Sequence, residues 1–483
     1  MNSSEFIALT PIITLSGATV LVMLSIAIQR DFMLATSITA GGIIVTLLSL
    51  YSIWGETPVQ VSSLIRVDAI AQFYLALLMA VGLAVLGFCY DYFKDREGEN
   101  EELPLLLLTA LLGSSVLVSS SHFTSFFIGL EMLSISLFVL IGYSLNKARS
   151  LEAAIKYLIM SGVSSAFLLM GMALIYAQCG ELNFSNIGHY FTNHQAINAM
   201  VLGGTILIIT GLGFKLSLVP FHLWTPDIYE GAPAPITAFI ATVSKGAVFV
   251  LLMRYFISST SYMYTPLITV LSVIAGLSIL GGNLLALQQN NVKRLLAYSS
   301  IAHIGYLLVA FIGGISVTPE LAVEAVTFYL VAYSITTIGA FGVVSIMSTS
   351  KLEGDDISLY SGLFWRRPWL AAIFTLMLLS LAGIPLTAGF IGKFYIFTSV
   401  AEGQLWELLL AIIFGSGLGL YYYLRIIVIM SAMVDGTKNL AFKPSKDWLS
   451  TVILSVLTML MVWLGLFPSI LINVIQLVSH EIK

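Results

Sequence analysis

Six side chains in this sequence combine titratable chemistry with apolar surroundings. Lys156, Lys215, Lys245 and Lys393 fall within long apolar runs, Glu131 stands alone among the acids in the middle of one, and His303 lies inside another. A charged residue near the centre of a membrane-spanning helix costs roughly 2.5–3.5 kcal/mol on insertion scales. Five such charges left unpaired would cost on the order of 12–17 kcal/mol, more than a typical folding free energy. A chain that carries them has to hydrate, pair or neutralise them. Lysine suits the last of these, because buried lysine can give up its proton whereas arginine keeps it. A row of lysines near one carboxylate can therefore titrate, each protonation altering the next. Transport of sodium or another metal ion would favour several oxygen ligands, and one deep carboxylate does not supply them. For His303, in Ser299-Ser-Ile-Ala-His303-Ile-Gly305, two roles stay open: a proton relay near neutral pH, or a packing histidine.

These residues need elements that hold them at depth, and the composition supplies them. Of 483 residues, 58% are hydrophobic and 10% charged, with a mean hydropathy of +0.97. A soluble domain would be about 25% charged, so the chain reads as an integral membrane protein throughout. A spanning helix takes about 20 mainly apolar residues. That ruler marks segments near 6–27, 32–54, 69–92, 103–120, 122–145, 153–179, 200–219, 233–256, 265–288, 294–314, 322–347, 369–399, 405–432 and 450–476. The expected fold is an all-α polytopic membrane protein with about 14 transmembrane helices, a single membrane domain over 1–483. Alternating strands at barrel spacing are absent. The first segment reads as an uncleaved anchor, since Met1-Asn-Ser-Ser-Glu5 lacks a basic flank.

Basic residues test the count. Loops that follow odd-numbered segments hold thirteen: Arg30, Lys94, Arg96, Lys147, Arg149, Lys293, Arg294, Lys351, Arg366, Arg367, Lys438, Lys443 and Lys446. Even loops and the C-terminal tail hold Arg66, Arg254 and Lys483. By the positive-inside rule the odd loops are cytoplasmic and both termini lie outside. Arg425, after Tyr421-Tyr-Tyr423, sits where a long side chain can snorkel to the interface.

Two of the lysines sit beside expected helix interruptions. Lys215 lies five residues before Pro220 in segment 7, and Lys393 lies eight residues after Pro385 in segment 12. Proline removes a backbone donor and breaks the preceding turn. Interrupted segments at matching positions of two halves point to a transporter built from repeats. An offset of five implies five-helix repeats, helices 4–8 over 103–256 and 9–13 over 265–432, and the odd length makes them inverted. His222, just past the first break, reads as part of a structured turn or as a proton inlet.

Other chemistry is excluded. A net charge of −4 gives no footprint for nucleic acid. Two distant cysteines, Cys89 and Cys179, cannot hold an iron–sulfur cluster, and no metal site is expected. There is no Rossmann fingerprint, phosphate-binding loop or soluble domain.

The run from Lys215-Leu-Ser-Leu-Val-Pro220-Phe-His-Leu-Trp-Thr-Pro-Asp227-Ile-Tyr-Glu-Gly-Ala-Pro-Ala-Pro235, followed by Ala238 and Ser244-Lys245, resembles the signature of the antiporter-like subunits of respiratory complex I. Arg149 through Tyr157, Asn291 through Ser300, and Leu379 through Tyr395 extend the resemblance over essentially the whole chain. It implies broken helices 7 and 12 and a proton channel. In that channel Glu131 pairs with Lys156, Lys215 and Lys245 are the central lysines, and Lys393 stands near the outward exit. It implies partners among the other membrane subunits of complex I, including neighbouring antiporter-like ones, in the inner membrane of a bacterium. It also implies no cofactor on this chain, with FMN, iron–sulfur clusters and a quinone on other subunits. The chain ends soon after its last span, without the long lateral helix of one branch of the family. The motifs leave two alternatives open: a subunit of a multisubunit sodium/proton antiporter, and a structural subunit without its own proton path.

Overall fold

The computed structural model describes residues 2–54, 58–96, 98–144, 147–193, 198–349, 352–433 and 447–482. Lys351, Lys438, Lys443, Lys446 and Lys483 lie outside them. All fourteen expected segments are helical. In chain order they are α1 (Thr10–Ile28), α2 (Phe32–Ser52), α3 (Ala69–Phe93), α4 (Glu102–Val118), α5 (Phe123–Ile141), α6 (Ala148–Cys179) and α7a (Ala199–Leu216) with α7b (Trp224–Gly231). Then come α8 (Ala234–Ser258), α9 (Thr265–Leu287), α10 (Val292–Ile315), α11 (Pro319–Met347), α12a (Pro368–Ala382) with α12b (Ala388–Glu402), α13 (Trp406–Ser431) and α14 (Trp448–Leu466). Among the described residues twelve helices are long and apolar enough to cross a membrane. The other two segments are the 17-residue α4 and the divided α12.

Polar residues at the ends set where these helices begin. Asp31, Asp68, Asn198, Asn291, Thr318 and Thr387 each accept a backbone N–H of the first turn, satisfying donors that the helix itself leaves free. In the bilayer, packing replaces the hydrophobic effect as the force between helices, and small residues allow close approach. Gly171 of α6 and Gly204 of α7a show this: a Cβ on either would lie 2.6–2.7 Å from the other's carbonyl oxygen.

The two ends of the bundle are each laced together by loops of one parity. At one end, Glu353 binds Arg96, Lys147 and the Tyr92 hydroxyl, and Arg96 lies 3.5 Å over the Tyr92 ring. Burial opposes the charge on Glu353, yet the cationic groups of Lys293, Lys147 and Arg96 hold its carboxyl down at about 2. Arg149 and Arg294 reach Glu230, and Asn291 bridges to Asp356. At the other end a small hairpin, Val59–Val61 with Ile65–Val67, touches Ser120. There His122 pairs with Asn183, and Glu481 accepts the Ala69 N–H at 2.8 Å. Among the described residues, the loops after α3, α5, α7, α9 and α11 thus gather at one face, and those after α2, α4 and α6 with the C-terminal end gather at the other, as an alternating path requires.

Burial is uneven. The most apolar stretch of α8 is entirely enclosed and α10 and α11 nearly so, whereas most of α1, α2 and α14 faces outward. The enclosed helices carry Lys245, Ser300, His303, Tyr329 and Tyr333.

Candidate functional site

The first break fixes Lys215. α7a ends at Leu216, Ser217 adopts φ +63°, and the chain re-enters a helix at Trp224. The Trp224 indole N–H donates to the Phe214 carbonyl at 3.0 Å, tying α7b back across the gap. Lys215 is buried in the last turn of α7a. Its Nζ donates to Ser134 of α5 at 2.7 Å and Ser161 of α6 at 2.5 Å, and faces the Tyr157 ring at 5.9 Å. One turn before Ser134 on α5, half-buried Glu131 accepts from Ser165 of α6 at 2.5 Å. Glu131 and Ser134 on one helix therefore face Ser161 and Ser165 on the other, forming a two-rung polar ladder beside Lys215.

The expected Glu131–Lys156 ion pair is not formed among the described residues. Lys156 and Ser165 are nine residues apart on α6, about 13 Å along the axis, so Glu131 meets the helix well beyond the lysine. Lys156, with 46% of its side chain exposed, instead binds Glu152 at 2.6 Å and Asp227 of α7b at 3.0 Å. Asp227 also holds Arg294 at 2.8 Å. Lys156 thus lies at the odd-loop end of the bundle rather than deep within it.

Lys245 follows a five-residue π-helical turn, Ile240–Ser244, inside α8. Such wide turns are rare and occur often at functional positions. Its Nζ donates to Ser300 of α10 at 2.9 Å and lies 5.3 Å over the Tyr229 ring. Ser300 also bonds Tyr333 of α11 at 2.7 Å and Tyr229 of α7b at 3.3 Å. One turn on, buried His303 is held at both ring nitrogens: Nδ1 meets the Tyr329 hydroxyl at 2.7 Å and Nε2 meets that of Tyr423 at 3.3 Å. Tyr423, from α13, also bonds Ser299.

At the second break α12a ends at Ala382, with Gly383 at φ +85°, and Thr387 caps α12b. Half-buried Lys393 reaches back from α12b to donate to the Ala382 carbonyl at 2.9 Å, and its Nζ lies 5.1 Å over the Tyr306 ring. Enclosed polar groups thus gather around Lys215 with Glu131 nearby, around Lys245 and His303, and around Lys393.

The family described as NADH:quinone oxidoreductase/Mrp antiporter, TM matches residues 120–419, a stretch that contains all six candidate residues. The chain belongs to this family of transmembrane proteins. NADH-quinone oxidoreductase subunit N of Methylococcus capsulatus is 47% identical over 473 residues, covering 98% of this chain and 95% of that one, so this chain is a homologue of subunit N. A chain of respiratory complex I from Thermus thermophilus with bound aureothin superposes with a TM-score of 0.82 at 30% identity, over 96% of this chain and 98% of that one. An archaeal membrane-bound sulfane sulfur reductase matches at 0.84 and 24% identity, over 99% of this chain and 98% of that one. The Mrp complex of Dietzia sp. matches at 0.85 and 17% identity, over 100% and 98%. These last two show the shared fold.

Two polar residues of this family member, Arg254 and Lys293, were not apparent as site residues in its sequence. Arg254, assigned to a loop, lies in α8 and forms a buried bidentate pair with Asp68 at 2.6 and 2.8 Å. Lys293, also assigned to a loop, is fully buried and donates to the Glu230 and Ala232 carbonyls at 2.8 and 2.6 Å. Arg425 binds Asn290 and the carbonyls of Leu287 and Gln289, an anchor at the end of α9. His222 is buried at the first break, its Nδ1 without a hydrogen bond among the described residues. Cys89 and Cys179 are both free thiols.

Proposed function

We propose that this chain is the non-redox, proton-translocating subunit N of a bacterial NADH–quinone oxidoreductase. NADH oxidation and quinone reduction occur on other subunits, which carry FMN and the iron–sulfur clusters. Its partners are the other membrane subunits of that complex, neighbouring antiporter-like subunits among them. The basic odd loops face the cytoplasm, and both termini lie on the outer side of the inner membrane. The halves 103–256 and 265–432 form inverted repeats around the two breaks.

The single observation that carries this reading is the line of enclosed lysines on neutral partners. Lys215 sits on two serines and Lys245 on one, with no carboxylate paired to either among the described residues. A hydroxyl can accept from an ammonium and, after rotation, donate to a neutral amine, so each site tolerates both states of the lysine. Protons pass along Lys215, Lys245, His303 and Lys393, and Glu131 and Lys156 respond to the neighbouring subunit. Moving one charge against 100 mV requires about 2.3 kcal/mol, which the redox arm supplies.

Replacing Lys215 with Met in the assembled complex tests this. In sealed vesicles the variant retains NADH–quinone reductase activity with an uncoupler present, and its protons moved per electron fall. An unchanged ratio would overturn the reading. Co-purification of this chain with bound flavin and NADH–quinone reductase activity is expected, whereas sodium-driven proton flux without NADH would favour the antiporter alternative.

A further inference from the structure

Between Lys245 and Lys393 the structure leaves a distance that lysine side chains do not close, and tyrosines fill it. Ser299, Ser300 and His303 occupy one face of α10. Tyr329 and Tyr333, four residues apart, face them from α11, and Tyr423 faces them from α13. All three tyrosine rings are almost wholly buried. His303 is pinched between hydroxyls, with Tyr329 at Nδ1 and Tyr423 at Nε2.

We propose that the hydroxyls of Tyr423 and Tyr329 are proton-relay groups, one on each ring nitrogen of His303, and that together they make this histidine a conductor between the two lysines. This rests on the proton-translocating reading given above.

The transfer balances without any group other than the lysines changing net charge. A proton released by Lys245 to Ser300 has to cross to the adjacent Ser299, with which Ser300 shares no hydrogen bond in this structure, and then reaches the oxygen of Tyr423, which passes its own proton to Nε2. The ring releases the proton on Nδ1 to the oxygen of Tyr329, whose original proton moves on toward Lys393. Each O–H bond broken is replaced by one formed, and the imidazole ends in its other tautomer. Rotation of the two hydroxyls and of the imidazole ring, each carrying its proton with it, restores the starting arrangement without moving a proton back. Tyrosine suits this duty because it both donates and accepts. Phenylalanine would fill the same space and stop the chain.

The outward end is placed by packing. The Tyr329 ring lies against Gly392, where an added Cβ would come within 2.9 Å of Cδ2, and Gly392 immediately precedes Lys393. The Tyr329 ring therefore packs against the residue next to Lys393, whose own amine lies over the Tyr306 ring, itself 5.7 Å from the His303 ring. Ser300–Tyr333 forms a side branch from the same serine. The Tyr333 ring lies tilted at 5.3 Å from His303 and positions it.

The test uses the whole complex in sealed vesicles with Tyr329→Phe, Tyr423→Phe and the double variant. Each single change is expected to slow proton transfer through this subunit by on the order of 100-fold, the scale of one positioned acid–base group. Assembly and uncoupled NADH–quinone activity should stay as in the parent. Because the two groups act in series, the double variant should lose no more than the slower single one. Losses that multiply, or a fall in assembled complex that tracks the pumping loss, would mean the tyrosines only hold the helices together and would overturn the relay. If Lys245→Met stops this subunit's pumping while both phenylalanine variants pump normally, the relay fails and the proposed function stands. If Lys245→Met also pumps normally, both fail.

Discussion

At the first break the lysine stands ahead of the interruption, and at the second it stands behind it. Both solutions bring an amine to the C-terminal end of a half-helix, where unpaired carbonyls make the helix dipole negative. They reach it differently. Lys215 is part of the half-helix that ends and turns away from its carbonyls toward Ser134 and Ser161. Lys393 belongs to the half-helix that restarts and folds back onto Ala382. The first lysine is therefore governed by side chains of two other helices, and the second by backbone of its own segment. A signal that moves α5 or α6 reaches Lys215 directly, whereas Lys393 follows whatever bends α12.

The backbone of the second break is the tighter of the two, and glycine substitutions should expose that most strongly. A Cβ at Gly389 would lie 1.9 Å from the Ser380 carbonyl oxygen, whereas one at Gly213 would meet the Phe221 ring at 3.0 Å. Gly389→Ala is expected to cost about 3 kcal/mol, the upper range for over-packing, and to lower the amount of intact complex. Gly213→Ala should stay within about 1 kcal/mol of neutral, since alanine also favours a helix by that amount. Thermal dissociation of the complex measures both, and equal losses would erase the distinction.

A smaller effect tests side-chain control at the first break. Ser161→Ala removes one hydroxyl from Lys215 and should cost roughly 1.5–3 kcal/mol, the range for hydrogen bonds to charged groups. Pumping should fall while electron transfer with an uncoupler is kept. No comparable single side-chain change can release Lys393, because its acceptor is main chain.

The smallest effect concerns the caps. Thr387→Ala removes the cap of α12b, at about 1 kcal/mol. α7b has no such side-chain cap, only the Trp224 bond across the gap. Denaturation of the complex should shift slightly for Thr387→Ala, without a change in protons moved per electron.

Much of this architecture is legible in the sequence because the bilayer imposes simple rules. Apolar length marked all fourteen spans, and Pro220 and Pro385 marked both breaks. The alternation of basic loops matched the sorting of loops to two ends. What stayed hidden depends on which helix meets which. Lys156 lies within an apolar window, but its position near the odd-loop end puts Asp227 within reach and Glu131 out of it. Arg254 sits at the end of a span, where a sliding window reads a loop, and its partner Asp68 is 186 residues away. Tyr329, Tyr333 and Tyr423 look like ordinary aromatic packing until the hydroxyls converge on one histidine.

The wide turn at Ile240–Ser244 has a consequence for phase. One surplus residue in a helix rotates everything downstream by about 100° relative to an uninterrupted α-helix. Without it, the amine of Lys245 would point about a quarter-turn away from Ser300. Helix α8 is thus two cylinders set out of step, and the angular mismatch between them is what aims the central lysine.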